Sequence, residues 1–159
     1  MDDLLVELIE REGHRETNNP NDSGGRTKYG ISERFHPQEW TNGPPTYERA
    51  KQFYFETFVV KPGFHRVQPD WLMEQLVDFA VNSGPSTAIK HFQRVLLTPD
   101  DGDLGPATLA ALAKRNPTQV NNALVDSRIL MFARLVQRRP KDLEFLYGWI
   151  RRALKFRRD

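Results

Sequence analysis

Glu12-Gly13-His14, followed by Asp22-Ser23-Gly24-Gly25-Arg26-Thr27-Lys28-Tyr29-Gly30-Ile31, is the stretch whose reading decides the fold. The residues ahead of it recur at helical spacing: Leu4, Leu5, Leu8 and Ile9 form one apolar stripe. Asp2 or Asp3 can cap the start and Gly13 can end the helix, so a helix is predicted over 3–12 with Glu12 in its last turn. A carboxyl at that place meets the negative end of the helix dipole, which favours its protonated form. From His14 to Ile31 the chain is rich in Asn, Gly, Asp and Pro, which predicts turns and one small hairpin.

Beyond Ile31 the pattern becomes helical again. Thr46 to Val60 carries Tyr47, Ala50, Phe53, Tyr54 and Phe58 on one stripe, and Pro62-Gly63 breaks it. Trp71 to Asn82 is the most apolar segment and reads as a central buried helix, with Gly84 placed to end it and Pro85 next. Three later helices are predicted to begin at Pro106, Pro117 and Pro140, because proline's fixed φ and missing N–H suit the first helical position; Asn116 can cap the second. The expected fold is mainly α, with a small irregular or β-hairpin lobe after the first helix. Residues 1–68 and 69–159 are expected to form two lobes packed as one compact unit.

At 159 residues the chain suffices for one such domain, and 38% hydrophobic with 28% charged residues is within the globular range. It contains no cysteine, which excludes disulfides, a thiolate nucleophile and cysteine-ligated metal. The histidines (His14, His36, His65, His91) are scattered and form no zinc-binding pair. Asp100, Asp101 and Asp103 lack the alternating ligands and closing Glu of an EF-hand, and no phosphate-binding glycine loop is present. No cofactor or metal is therefore expected. The start, Met1-Asp2-Asp3-Leu4-Leu5, is acidic where a secretory leader needs a basic start. Synthesis in the cytoplasm without a leader is the expectation.

One carboxyl on a helix, with a second carboxyl, a hydroxyl and a phenol on a nearby glycine-rich turn, suits acid/base cleavage of a glycosidic bond. An inverting hydrolase needs a protonated carboxyl on one face of the sugar and a water-activating group on the other. Glu12 can be the acid; Asp22 and Thr27 can orient the water, with Tyr29 nearby as a donor. The glycines permit close approach to a saccharide and turns with positive φ. By spacing alone, the same residues also describe an ordinary turn with a capping Asp.

The run from Glu12 to Ile31 resembles the N-terminal signature of the glycoside hydrolase 108 family, bacterial and phage N-acetylmuramidases that usually show Glu-Gly-Gly and then Asp-x-Gly-Gly-x-Thr-x-x-Gly-Ile. Glu12-Gly13, Asp22, Gly24, Gly25, Thr27, Tyr29, Gly30 and Ile31 all fit. His14 stands where the family has its second glycine, as a tolerated substitution, a substrate contact or a second titrating group. The second half resembles the family's usual partner, a predicted peptidoglycan-binding domain, through Asp78, Ala80, Asn82, Gly84, Pro85, Ala88, Gln93, Asp101, Gly102, Gly105, Pro106 and Thr108. The order Glu, Asp, Thr is also similar to phage lysozymes of the T4 type, whose acid likewise ends the first helix.

The resemblance implies a lysozyme-like fold and a muramidase with Glu12 as essential acid and Asp22 and Thr27 positioning water. Gly24, Gly25, Tyr29 and Asn82 would bind substrate. It further implies peptidoglycan as the partner and the setting of a phage endolysin released through a holin-type lesion. The alternatives are a non-catalytic peptidoglycan-binding protein and a muramidase serving secretion.

The net charge of +2 hides an asymmetry: residues 134–159 carry +6, the remainder −4. Such a block forms a solvated face or holds a protein against a polyanion. Contact between the basic last helix and an anionic envelope is one expectation. Nucleic acid is not, because no base-reading motif accompanies the charge. A monomer is expected. Among the aromatics, Trp40 stands apart as a sugar platform, since it lies in a polar stretch before Asn42-Gly43-Pro44.

Overall fold

A computed structural model describes residues 2–13, 15–18 and 25–159, without the side chains of Asp2, Arg11 and Glu12. The described chain is mainly α: seven α-helices and one three-stranded antiparallel sheet. It divides into two compact units, Met1–Val60 and Lys61–Asp159.

In the first unit, α1 (Asp2–Glu12) buries Leu4, Leu5, Leu8 and Ile9, the predicted stripe, and packs on α2 (Tyr47–Phe55). Thr46 caps α2: its hydroxyl accepts from the Arg49 amide at 3.2 Å, worth about 1 kcal/mol. The expected helix over 46–60 is interrupted in kind, because its last residues, Glu56–Val60, wind as one wider π-helical turn. Between the two helices lie β1 (Thr17–Asn18), β2 (Arg26–Lys28) and β3 (Ile31–Ser32), in that spatial order.

In the second unit, α3 (Asp70–Ser83) is the predicted buried helix, and Gly84 follows it at φ 88°. The same Gly84-Pro85 step also opens α4 (Pro85–Val95), a helix the sequence reading missed. α5 (Pro106–Ala113) and α6 (Pro117–Arg138) begin at their expected prolines, with the Asn116 side chain accepting from the Gln119 amide at 3.1 Å. Pro140 instead opens a 3-10 turn to Asp142, and α7 runs from Leu143 to Leu154.

Two polar clusters hold the second unit together. Asp78 on α3, 1% exposed, meets the fully buried Arg128 of α6 at 2.7 Å and Arg152 of α7 at 2.7 Å. The Arg128 guanidinium also lies over the rings of Phe79 and Phe132, at 5.0 and 5.6 Å from their centroids. One carboxylate thus ties three helices. On α4, the buried Gln93 side chain donates to Asp101 Oδ1 (2.7 Å), to the Asp103 carbonyl (2.9 Å) and to Thr108 Oγ1 (3.2 Å), and accepts from the Gly102 amide (2.9 Å). Gly102, at φ 83°, lies so close to α4 that a Cβ would meet Ser86 Oγ at 2.7 Å. The run Asp101 to Thr108 is therefore a turn stapled to α4. Asp101, and Asp100 just before it, face protein donors: Asp101 is held below the usual carboxylate range by the Asp103 amide and then Gln93, and Asp100 by Arg94.

Asp78→Ala leaves two cations facing each other in the interior, and the cost expected is about 3–5 kcal/mol. Gln93→Ala removes one hydrogen bond to a carboxylate and several to neutral groups but leaves no cation without its counter-charge, and should cost about 1–3 kcal/mol. Urea unfolding of both variants checks the magnitudes and their order; equal, small losses would remove Asp78 from its role as tie.

Candidate functional site

Glu12 is the last residue of α1, and the chain leaves the helix immediately through Gly13 at φ 86°. A Cβ at Gly13 would meet nothing within 4 Å, so the requirement for glycine lies in the backbone conformation alone. Position 12 follows Leu5 by seven residues, Leu8 by four and Ile9 by three, which places it on the helix stripe that those buried residues define.

The sheet follows. Thr17 pairs with Thr27, and Thr27 with Ser32, in adjacent antiparallel ladders. Cross-strand partners share a face, so Thr17, Thr27 and Ser32 form a row of three hydroxyl-bearing positions. Thr27 is half-buried, and among the described residues its Oγ1 donates a long 3.4 Å contact to the Gly25 carbonyl. Arg26, one residue away and on the opposite face, binds Glu16 at 2.8 Å and Glu33 at 3.6 Å. Its pKa is raised, first by the Glu16 hydrogen bond.

Lys28 and Ile31 pair around a two-residue turn, Tyr29-Gly30, with φ of 52° and 72°. Both central residues have positive φ, the type I′ pattern that matches the twist of a hairpin. A tyrosine seldom adopts it, and here its surroundings fix it. The Tyr54 hydroxyl donates to the Tyr29 carbonyl at 3.1 Å, and the Tyr29 ring meets Tyr47 edge-on at 6.0 Å. The side chain is 8% exposed.

Trp40 departs from expectation. It is 6% exposed, its indole N–H donates to the Ile31 carbonyl at 3.3 Å, and the Arg26 guanidinium covers its ring at 4.8 Å. It holds the hairpin from beneath and is no sugar platform.

The structure thus gathers Gly25 (φ 67°), Thr27 and Tyr29 into one hairpin. Asp22 and Gly24 belong to the connection between β1 and β2, and they lie outside the described residues, as does His14. Asn82 is half-buried near the end of α3 in the second unit, where its Oδ1 accepts from Ser83 Oγ at 3.0 Å. Thr17 and Ser32, flanking Thr27, were not singled out from sequence; the hydroxyl types at 17, 27 and 32 carry no signal until the register is known. Among the described residues, no group of three His, Asp or Glu side chains is placed to hold a metal.

Gly13→Val should cost roughly 1–2 kcal/mol through the left-handed backbone alone, and Gly13→Asn clearly less. Thermal denaturation of the two variants tests this; equal stability would mean that α1 does not need its left-handed exit.

Comparison with known proteins gives the following. Residues 5–84 match the family model for glycosyl hydrolase 108, and residues 87–154 match that of a predicted peptidoglycan domain. Solved structures similar to this chain include that of Brucella abortus SagA, with 27% sequence identity, a TM-score of 0.72, and coverage of 99% of this chain and 95% of that one. No curated protein matches by sequence. The first match alone spans half of the chain and contains the hairpin and α1 from Leu5 onward, Glu12 included, and the second follows it in the order expected. The chain therefore belongs to the glycosyl hydrolase 108 family, as a glycoside hydrolase directed at peptidoglycan with a peptidoglycan-binding domain behind it.

Proposed function

We propose that this protein is an N-acetylmuramidase, cleaving the β-1,4 bond between N-acetylmuramic acid and N-acetylglucosamine, with Glu12 as general acid. The observation that carries this reading is the placement of Glu12 as the final residue of α1, directly before a left-handed glycine and within the span of the hydrolase family match. A helix C-terminus favours the protonated carboxyl that must deliver a proton to the leaving oxygen. In this reading, Asp22 and Thr27 hold the attacking water on the opposite side of the sugar, with the neighbouring hydroxyl positions on the sheet giving Thr27 a polar setting. Gly24, Gly25, Tyr29 and Asn82 are assigned to substrate. The Tyr29 contribution then lies in shaping the hairpin, because its ring is packed inside.

Purified Gram-negative sacculi digested by the unaltered protein should release fragments ending in reducing N-acetylmuramic acid, read by mass spectrometry. Glu12→Gln should lower the rate by at least about a hundredfold while leaving the fold intact, the scale expected of a general acid. Retention of more than a few per cent of the rate removes Glu12 from the role. Anhydro ends would make the enzyme a lytic transglycosylase, and binding without fragments would make it a non-catalytic peptidoglycan-binding protein.

The biological setting proposed is that of an endolysin acting as a monomer, made in the cytoplasm and admitted to the wall through a holin-type lesion. Its last helix is assigned to contact with the anionic envelope. Much of the tail's charge serves the fold: Arg152 binds Asp78, Arg157 binds Asp126 at 2.6 Å, and Arg158 lies over Trp71 at 4.5 Å. The segment after α7 is also tied down, with Asn121 donating to the Phe156 carbonyl and Asn122 to the Arg158 carbonyl, both at 2.7 Å. Contact is then assigned to Arg151, beside the exposed Leu143, Tyr147 and Leu154 on the same side of α7. Arg151→Glu should weaken binding to vesicles of anionic lipid several-fold and flatten its salt dependence, with catalysis on sacculi unchanged. Unchanged vesicle binding would contradict this contact.

A further inference from the structure

The corner between α5 and α6 is surrounded by three adjoining depressions of about 340, 410 and 280 Å³, and Arg115 lines all three. Lys114 lines two of them. Both side chains are exposed, and neither makes an ion pair or side-chain hydrogen bond among the described residues. No Asp or Glu lines any of the three, and no aromatic side chain does. The apolar part of the walls comes from Ala107, Ala110 and Ala111 on one side of Arg115 and from Leu109 and Leu112 on another, and the two cations share the remainder with polar groups, among them Asn116 and Gln119 in the third depression.

α5 owes this surface to its sequence, Pro-Ala-Thr-Leu-Ala-Ala-Leu-Ala. Thr108 and Leu112 point inward, which leaves alanines outside and keeps the depressions open. The corner is also firmly placed. α5 starts behind the Gln93-stapled turn, where Arg66 donates to the Leu104 carbonyl, and α6 starts at the Asn116 cap.

We infer that this corner is the site where the second unit takes the stem peptide of peptidoglycan, a short acidic peptide rich in alanine. The inference rests on peptidoglycan being the target. Stem-peptide carboxylates match the two unengaged cations, and Arg115 can hold one with two parallel hydrogen bonds. Alanine methyls match the shallow Ala/Leu walls. The glycan is the poorer occupant, because an uncharged sugar face finds no ring to lie on and has no use for the charge. Since the cations are exposed, the affinity is salt-sensitive and modest for a single stem. Repetition of stems along the wall would raise retention on sacculi through effective concentration.

This assigns the two units separate tasks, glycan cleavage and stem capture. The test uses the full chain carrying Glu12→Gln, so that ligand is not consumed. Calorimetric titration with the soluble tetrapeptide L-Ala-γ-D-Glu-meso-diaminopimelate-D-Ala should give saturable binding. Lys114→Glu with Arg115→Glu should lower the affinity at least about tenfold without changing the thermal midpoint, while Arg115→Lys keeps part of it. Co-sedimentation with intact sacculi should show strong retention of the Glu12→Gln protein and clearly weaker retention once Lys114→Glu and Arg115→Glu are added. Equal peptide affinity in the doubly charge-reversed variant overturns the inference, as does equal retention of that variant and its parent on intact sacculi. Neither result depends on cleavage, so failure of the muramidase reading shows separately, as an absence of fragments.

Discussion

The chain must leave α1 immediately after Glu12, and the geometry of the first unit depends on that exit. Leu5, Leu8 and Ile9 anchor the helix by burial. Gly13 then turns the backbone through a conformation that side chains disfavour. The result is a carboxyl-bearing position fixed by the helix core yet located at the helix's last residue, with the dipole's negative end beside it. The hairpin that follows is built with the same economy of means: two positive-φ residues make its turn, and Trp40 and Tyr54 each fasten one of its carbonyls. A site for chemistry on a sugar needs rigid supports of this sort, because misplacement of a catalytic group by an ångström is costly.

The second unit solves a different problem, burying the polar motif residues Asp78, Gln93 and Thr108 in a mostly apolar bundle. Residues that resemble a peptidoglycan-binding signature are largely structural here. Asp78 joins three helices through two arginines, and Gln93 gathers Asp101, Gly102 and Thr108. Stem capture, as inferred, falls to residues the signature leaves out, Lys114 and Arg115, which sit at the edge of the framework those motif residues build. The distinction is one of engagement: a side chain whose hydrogen-bonding capacity is satisfied inside the fold has little left for a ligand.

The helices were legible wherever a single signal has a single meaning. Leu4, Leu5, Leu8 and Ile9 gave α1, and Pro106 and Pro117 gave α5 and α6. Gly84-Pro85 has two meanings, since a glycine ends one helix while a proline begins the next, and α4 was missed for that reason. Pro140 opened a 3-10 turn, with the α-helix delayed to Leu143. Trp40 was misread because its neighbours in sequence are polar, whereas its neighbours in space are Arg26 and the Ile31 carbonyl. The alignment of Thr17, Thr27 and Ser32 needed the strand register, and the engagement of Arg152 and Arg157 needed partners more than thirty residues away. Charge counting sees such arginines as free.

The most direct test of the central claim, that the α1 exit and the hairpin form the glycan site, is amide chemical-shift mapping of the Glu12→Gln protein with a stem-free peptidoglycan tetrasaccharide. The account predicts the largest perturbations at Gly13, Gly25, Thr27 and their neighbours on β2 and β3. Perturbations confined to residues 61–159, with the hairpin silent, would contradict it.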